Sequence, residues 1–449
     1  MSSQTLANPF YSSFRAAAVV CVCTLAAFLG CFSPKILILF VAMVFTAFVL
    51  WMVFTHPVSV VGIVLAFMPF DFMVIALGKF FGLPHMTLIS AGDKEIILLL
   101  LAFVLWRQNG FKFATPDLFL IACLMLAVIR TAFDGILVGL VTDFAFVIPY
   151  LVGRMTVLTT KQEQLGAKWA VWIVGILSVL GLIEVFIVGE GPRTLLYLAI
   201  DSETEGGQLT SSFHASGFTG LREAATMIGP NGFGDLCMVA LIIWWVYRRN
   251  PLPAVMVATG LICSVTRSAW IGTAAAIPLL AIMMRQTKRF FLYATVALSL
   301  FAAAIPVLGL SDYIFLNKTG QDLSAEGHKE QIVDGLKYAA DHPLGSGNRD
   351  LSPMNLKANS NTTILETTYP YLAAAYGIAV AILLIGFLAS ALHRMWKMHS
   401  PLGHAALGIL VGTAVVMVSS LPLTDRRLGC WLWFPIGLAV RQSQLLEQR

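Results

Sequence analysis

The stretch CSVTRSAWIGT, residues 263–273, places a single arginine, Arg267, between two strongly apolar segments. The segment before it reads AVMVATGLI, and the segment after it reads AAAIPLLAIMM. An arginine at the centre of a membrane helix costs about 2.5–3.5 kcal/mol on insertion scales. Such a residue either reaches the headgroup region, pairs with a carboxylate or binds an anion. Thr266 and Ser268 beside it carry hydroxyl groups, which suit an oxyanion contact and are also common helix caps.

The composition of the whole chain indicates a membrane protein. Of 449 residues, 58% are hydrophobic and 12% are charged, whereas soluble domains carry about 25% charged residues. A span needs about 20 apolar residues, and the apolar segments predict an all-α polytopic protein of about 12–14 transmembrane helices in one domain, 1–449. The predicted spans are 15–32, 35–54, 58–78, 94–106, 117–131, 136–153, 168–188, 231–247, 252–266, 269–284, 289–309, 369–391, 403–421 and 428–440.

The basic residues predict the orientation of these helices. Lys and Arg cluster in loops that all fall on one face when the helices are counted, with Arg426 and Arg427 as the exception. Cytoplasmic loops are rich in Lys and Arg, so both termini are predicted to be cytoplasmic. The two long connections, 189–230 and 310–368, then lie on the outer face. The net charge of +5 is modest and dispersed, which argues against a nucleic-acid partner.

The second long connection contains an amphipathic pattern. In HKEQIVDGLKYAADHPLGSGN, the apolar residues Ile332, Leu336 and Ala339/Ala340 recur at helical spacing. Pro343 and the following glycines predict that this helix ends and a tight turn begins. The segment therefore predicts an outer-face helix followed by a loop.

Three arginines on the predicted outer face are candidate diphosphate ligands: Arg222, Arg267 and Arg349. Arg222 precedes a helix start at Pro230 and Asn231, and helix N-termini favour anions. The planar guanidinium group grips phosphate oxygens in a bidentate manner. For each arginine the alternative is a solvated loop side chain or a structural ion pair, and for Arg349 an exposed loop position is the simpler interpretation.

Acid–base candidates on the same face are Glu366, His328 and His214. A carboxylate beside a membrane helix is rare and accepts a hydroxyl proton well, although a single loop histidine usually has no catalytic role. The histidines and the seven cysteines show no metal-ligand spacing. The sequence therefore predicts neither a metal site nor a cofactor. Asp71, Glu95 and Glu184 lie in or beside apolar segments, which keeps a transporter interpretation open.

Four segments together resemble the O-antigen ligase/polymerase superfamily. TRSAWIG resembles the family's Ser-Arg box at a helix start, and GFTGLREAATMIGPNGFGDL is similar to its outer-loop arginine followed by a helix beginning near Pro-Asn. HKEQIVDGLKYAADHPLGSGN resembles the segment of its large periplasmic loop that ends in P-L-x-G-x-G. FAFVIPYLVGRM is similar to a helix end found in many members, but its Arg154 is predicted to be cytoplasmic and is left out of the site.

The resemblance implies a bacterial inner-membrane glycosyltransferase of the metal-independent, GT-C-like class with its active site facing the periplasm. Its substrates would be an undecaprenyl-diphosphate-linked oligosaccharide and a growing polysaccharide acceptor, and membrane lipid would surround the enzyme. A protein that regulates chain length is a possible further partner. If the roles of the family's arginines apply to this chain, Arg222 and Arg267 would bind the diphosphate and stabilise the charge that develops as it leaves.

The sequence departs from the family pattern at two positions, which affect the expected site residues and the choice between ligase and polymerase. GHKE stands where an arginine usually opens the amphipathic helix, so His328 or Lys329 would substitute for it. Ser360 stands where the ligase branch has a histidine, which favours the polymerase branch and leaves Glu366 as the expected base. The alternatives are an O-antigen ligase, a protein O-oligosaccharyltransferase using the same donor, and a lipid-linked oligosaccharide flippase. A flippase usually has short loops on both faces and matched halves, which this sequence lacks.

Overall fold

The structure is a computed structural model that describes residues 34–82, 86–134, 137–189, 191, 194, 222–227, 229–247, 250–307, 323–348, 351 and 367–448. Every regular element in these ranges is helical and none is a strand, which confirms the all-α class. The predicted spans from residue 35 onward each coincide with a helix or a helix pair.

The first half of the chain contains helices α1 to α8. Their bounds are Pro34–Thr55 (α1), Pro57–Phe67 (α2), Asp71–Phe80 (α3), Met86–Asn109 (α4), Thr115–Asp134 (α5), Leu137–Asp143 (α6), Val147–Met155 (α7) and Thr160–Ile183 (α8). The turn Met68–Phe70 joins α2 to α3 as a 3₁₀ helix, and a π-helical turn, Glu184–Val188, follows α8.

The second half contains helices α9 to α17. Their bounds are Pro230–Tyr247 (α9), Pro251–Cys263 (α10), Arg267–Met283 (α11), Thr287–Val307 (α12), Leu323–Asp341 (α13), Thr368–Tyr376 (α14), Ile378–Trp396 (α15), Pro401–Val416 (α16) and Arg426–Glu447 (α17).

The helices are long and apolar enough for a multi-pass membrane protein, but the described residues contain fewer full spans than the 12–14 expected for the whole chain. Five helices of the described part meet the length and hydropathy requirements of a span, or six if the bent pair α6–α7 counts as one. Several other apolar helices, including α10, α11 and α16, have only 10–17 residues. A helix of 13 residues extends about 20 Å at 1.5 Å per residue, less than the 30 Å hydrocarbon core. The predicted span 15–32 lies outside the described residues.

Helix α9 forms the centre of the bundle. Almost every residue from Phe233 to Val246 is buried, because the helix is apolar on all sides and packs against α8, α10, α11 and α16. By contrast, α12 presents large apolar side chains outward, among them Phe291 and Leu298. The two helices show the difference between a helix inside the bundle and one at its surface.

The last helix, α17, crosses α7 at unusually short range. A Cβ at Gly437 would collide with the carbonyl oxygen of Tyr150, and a Cβ at Gly153 would collide with that of Phe434. Glycine on both helices thus allows the two backbones to touch, as in other close membrane-helix crossings.

The amphipathic helix predicted in the second long connection is α13, and it ends at Asp341, just before Pro343. Its buried face agrees with the expected one only in part. Gly335 and Ala339 are buried, whereas Leu336 is 54% exposed. The apolar spacing predicted the helix correctly. Of the expected apolar residues, Ala339 is buried and clusters with Ala373 of α14 and Ala381 of α15.

The turn after α13, residues 342–348, docks onto the junction of α14 and α15. The backbone N–H groups of Ser346 and Gly347 donate to the carbonyl oxygens of Ala374 and Ala375 at 2.9 Å each. Gly345 has a φ of +82°, and a Cβ there would lie 2.6 Å from the carbonyl oxygen of Ala375. Only glycine satisfies both the backbone conformation and the close approach.

We therefore expect Gly345→Ala to weaken this docking by about 1–3 kcal/mol, the usual cost of a strained backbone position. Limited proteolysis of the purified protein in detergent should show faster cleavage near residue 345. The matched control is Gly327→Ala on α13, where an added methyl group meets nothing within 4 Å and alanine favours the helix. Equal protection of the two variants would contradict the docking argument.

Candidate functional site

The first turns of α9 and α11 meet at the end of the bundle that is predicted to face outward. Residues 264–266 connect α10 to α11 and pack against Gly234 of α9, where a Cβ would lie 2.7 Å from that of Thr266. The Thr266 hydroxyl group donates to the carbonyl oxygen of Pro230 at 3.0 Å. This contact places the first residue of α11, Arg267, beside the N-terminus of α9.

Arg222 lies against the same connection and is 9% exposed. Its Nε donates to the carbonyl oxygen of Ser264 at 3.1 Å, and its Nη2 donates to that of Val265 at 3.2 Å. Nη2 also lies 2.7 Å from Oδ1 of Asn231 and 3.3 Å from Oγ1 of Thr266. The guanidinium group thus bridges residues 264–266 and the first turn of α9.

The backbone of this connection is strained. Val265 has a φ of +50°, a conformation that is an outlier for a β-branched residue. The neighbouring backbone N–H of Glu223 donates to the carbonyl oxygen of Cys263 at 2.9 Å. Strained residues persist where the surrounding contacts determine their conformation, and they concentrate at functional sites.

Thr266 is the N-cap residue of α11, but its side chain does not cap that helix. Its hydroxyl group is engaged with Pro230 and Arg222. A helix N-terminus carries partial positive charge from its first backbone N–H groups. Half-buried Arg267 adds a full positive charge at the same point, an arrangement that suits an anion such as a phosphate.

Two carboxylates lie beside this region, Asp425 at the start of α17 and Asp235 on α9. Asp425 is the N-cap of α17, where Oδ1 accepts from the backbone N–H groups of Arg427 and Leu428. Its Oδ2 faces Gly232 of α9, since a Cβ there would lie 3.2 Å away. Asp235, one turn deeper on α9, is 4% exposed and its Oδ1 has no hydrogen-bond partner.

An ion cluster next to Asp425 joins three parts of the chain. Asp71, which is fully buried, accepts from Lys94 at 2.5 Å and from Nε of Arg427 at 2.8 Å through the same oxygen, Oδ2. Arg427, expected on the outer face, and Asp71, one of the carboxylates predicted within an apolar run, are therefore partners. This pairing fixes α3 and α4 against the start of α17.

A second buried polar cluster lies where the 342–348 turn meets α14. The hydroxyl groups of Tyr371 and Tyr376 donate to Oδ2 of Asp143 at 2.6 and 2.7 Å. The amide Nδ2 of Asn348 donates to the Tyr376 oxygen at 2.9 Å. Together these contacts attach the end of the turn to α6.

The structure brings together two of the predicted site residues, Arg222 and Arg267. His328 lies half-buried in the first half of α13, and its Nδ1 has no hydrogen-bond partner. Among the described residues, the helix that carries it packs on α14. His214, Arg349 and Glu366 lie outside the described residues. Within the described part of the chain no group of three His, Cys, Asp or Glu side chains is arranged to hold a metal ion.

Sequence reasoning missed the Asp143 cluster and Asp425. Asp143 interrupts the apolar run LVTDFAFVIPY, which is the same kind of signal that drew attention to Arg267. Its partners, Tyr371 and Tyr376, are more than 220 positions away, so spacing along the chain carried no sign of the pairing.

Arg154, which is predicted to be cytoplasmic, forms a buried ion pair near the C-terminal end of α7. Its Nε and Nη2 donate to the two carboxylate oxygens of Asp117 at 2.9 and 2.7 Å. Tyr150 donates to the same carboxylate at 2.7 Å, and Gln444 accepts from Nη2 at 3.0 Å. These contacts give Arg154 a structural role.

The comparison with known families supports the resemblance. No curated protein matches the chain. Residues 252–385 match the family model described as O-antigen ligase, and this stretch includes Arg267, α13, the 342–348 turn and both tyrosines of the Asp143 cluster. The family implies a membrane enzyme that transfers lipid-linked glycans, of the ligase or polymerase type. Residues 252–385 thus match an O-antigen ligase family model, which confirms the predicted resemblance for that part of the chain.

Proposed function

We propose that this protein is a bacterial inner-membrane polymerase that joins undecaprenyl-diphosphate-linked repeat units into a polysaccharide at the periplasmic face. The observation that carries the proposal is Arg267 at the uncapped N-terminus of α11, within the matched domain and beside the Arg222 connection. Ser360, in place of the ligase histidine, favours the polymerase over the ligase.

In the proposed reaction, an acceptor hydroxyl oxygen attacks the anomeric carbon of the lipid-linked glycan. The bond from this carbon to the diphosphate oxygen breaks, and the diphosphate leaves with the electron pair. Arg267 and the first N–H groups of α11 stabilise the negative charge that grows on the leaving group. The hydroxyl proton passes to a base, for which Glu366 is our candidate, with His328 and His214 as alternatives and Arg349 as a further diphosphate ligand.

In this mechanism the positive charge of Arg267 stabilises the leaving diphosphate, a task that a metal ion performs in other enzymes. We therefore expect turnover to be independent of divalent metals. Excess chelator should leave the rate of glycan transfer within about twofold of its starting value. A loss of activity that Mg²⁺ or Mn²⁺ restores would contradict this mechanism. The rate with and without chelator, measured on one preparation, checks it.

The outer-face location leads to a labelling prediction. In a background without the seven cysteines, Glu330→Cys on α13 should react with a membrane-impermeant maleimide in intact spheroplasts. Gln108→Cys, at the end of α4, should react only after permeabilisation, because positive loops remain cytoplasmic. Both positions are exposed. Labelling of both from the same side would overturn the orientation.

The function itself is tested in proteoliposomes with undecaprenyl-diphosphate-linked repeat units as the only substrate. A ladder of longer lipid-linked glycans with release of undecaprenyl diphosphate is the expected result. Transfer only after addition of a lipid A-core or protein acceptor would assign the ligase or protein-glycosylating branch. Movement of the lipid across the bilayer with no transfer would assign a flippase and end the proposal.

A further inference from the structure

We infer that Arg222 is a positioning residue: its guanidinium group holds the strained connection 264–266 in the conformation that aims Arg267 at the diphosphate. The inference rests on the proposed function, but it assigns to Arg222 a different task from the direct diphosphate contact expected from the sequence. Three features of the connection carry it.

The first feature is where the donors of Arg222 point. Nε and Nη2 form a fork onto two consecutive carbonyl oxygens, those of Ser264 and Val265. These two carbonyl groups belong to the residues that follow the end of α10 at Cys263. Arg222 therefore binds the connection itself. Nε and Nη2 of Arg222 thus donate to the protein backbone and point away from a substrate.

The second feature is the conformation that these bonds maintain. Val265 is in the left-handed region with a φ of +50°, where its branched Cβ is unfavourable. The preceding carbonyl oxygen, on Ser264, and its own carbonyl oxygen both accept from Arg222. The two bonds thus span the strained residue from either side and oppose its relaxation.

The third feature is what comes next in the chain. Two residues after Val265 the helix α11 begins with Arg267. Thr266 between them is fixed by Pro230 and by Arg222. A change of φ at Val265 would rotate the first turn of α11 and displace the Arg267 side chain. Misplacement of a binding group by about 1 Å is enough to cost two orders of magnitude in rate.

Val265 itself supplies the test, because glycine adopts a positive φ without strain. We would compare the wild type, Arg222→Met, Val265→Gly and the double variant Arg222→Met/Val265→Gly in proteoliposomes. The readouts are kcat/KM for glycan transfer per folded protein and the inhibition constant of inorganic pyrophosphate. Thermal unfolding in detergent is measured for all four proteins, and Val265→Gly alone is the baseline for the double variant.

For a positioning role, we expect Arg222→Met to lower kcat/KM about 100-fold and to weaken pyrophosphate inhibition. Adding Val265→Gly should then restore at least about tenfold in kcat/KM and recover the inhibition constant. If Arg222 binds the diphosphate directly, Val265→Gly will not rescue it and the two effects will multiply. That result, or full activity of Arg222→Met, would overturn the inference.

Failure of the proposed function gives a different pattern. In that case the wild type shows no glycan transfer with any acceptor, and Arg267→Ala is indistinguishable from it. The unfolding temperatures still test the inference, because they need no substrate. A smaller loss from Arg222→Met in the Val265→Gly background than in the wild type supports the coupling of the two residues, and equal losses contradict it.

Discussion

We expect Arg267→Ala to reduce glycan transfer by at least about 100-fold while the protein still folds. Two charge-assisted hydrogen bonds to the leaving diphosphate contribute about 3–6 kcal/mol together, and each 1.36 kcal/mol corresponds to a tenfold change in rate. Arg267→Lys should be impaired nearly as much, because an ammonium group cannot make the planar bidentate contact. The measurement is the initial rate of polymer formation in proteoliposomes, normalised to folded protein.

The matched control for Arg267 is Arg289→Ala. Arg289 lies near the start of α12 and is exposed, at the end of the bundle predicted to be cytoplasmic. Its replacement removes the same charge and should leave the rate within about twofold. Full activity of Arg267→Lys would rule out the bidentate role, and equal losses in Arg267→Ala and Arg289→Ala would show a general charge effect.

The second large effect is expected at the other end of the bundle, in stability. Asp117→Ala would leave the Arg154 guanidinium group buried without its carboxylate, since the two side chains are 3% and 0% exposed. Breaking a buried ion pair by removing one partner costs about 3–5 kcal/mol. Tyr150 loses its acceptor in the same change. We expect a sharply lower unfolding temperature in detergent and a lower yield of monodisperse protein.

Asp334→Ala is the matched control for Asp117. Asp334 pairs with Lys337 at 3.8 Å on α13, and its side chain is 57% exposed. Exposed pairs of this kind contribute less than about 1 kcal/mol, so the unfolding temperature should hardly change. A similar loss in both variants would mean that burial of the Asp117 pair does not determine its contribution.

Much of the helical framework follows from local sequence. The apolar runs marked the helices because a buried backbone must satisfy its own hydrogen bonds, and Pro343 marked the end of α13 because proline cannot continue a helix. The breaks inside predicted spans were harder to see. Gly377, with a φ of +102°, separates α14 from α15 where the run 369–391 suggested one continuous helix.

The site was predictable only in part, because its contacts join residues that are far apart in the chain. Arg222 and Arg267 were found as charges beside apolar segments and grouped by helix parity, and the structure places them around one connection. The division of tasks that we infer for the two arginines could not be read from the sequence. It depends on which atoms the Arg222 guanidinium group reaches, and Ser264 is 42 positions away along the chain.

By itself, the sequence determined that the chain is helical and lies in a membrane, and it pointed to the family that residues 252–385 match. These properties depend on composition, apolar run length and short motifs, which are local. Only the tertiary structure decided that Val265 is strained, that Asp71 joins Lys94 to Arg427, and that Asp143 binds two distant tyrosines. Such contacts depend on how the helices cross, and the crossings are set by packing between residues far apart in the chain.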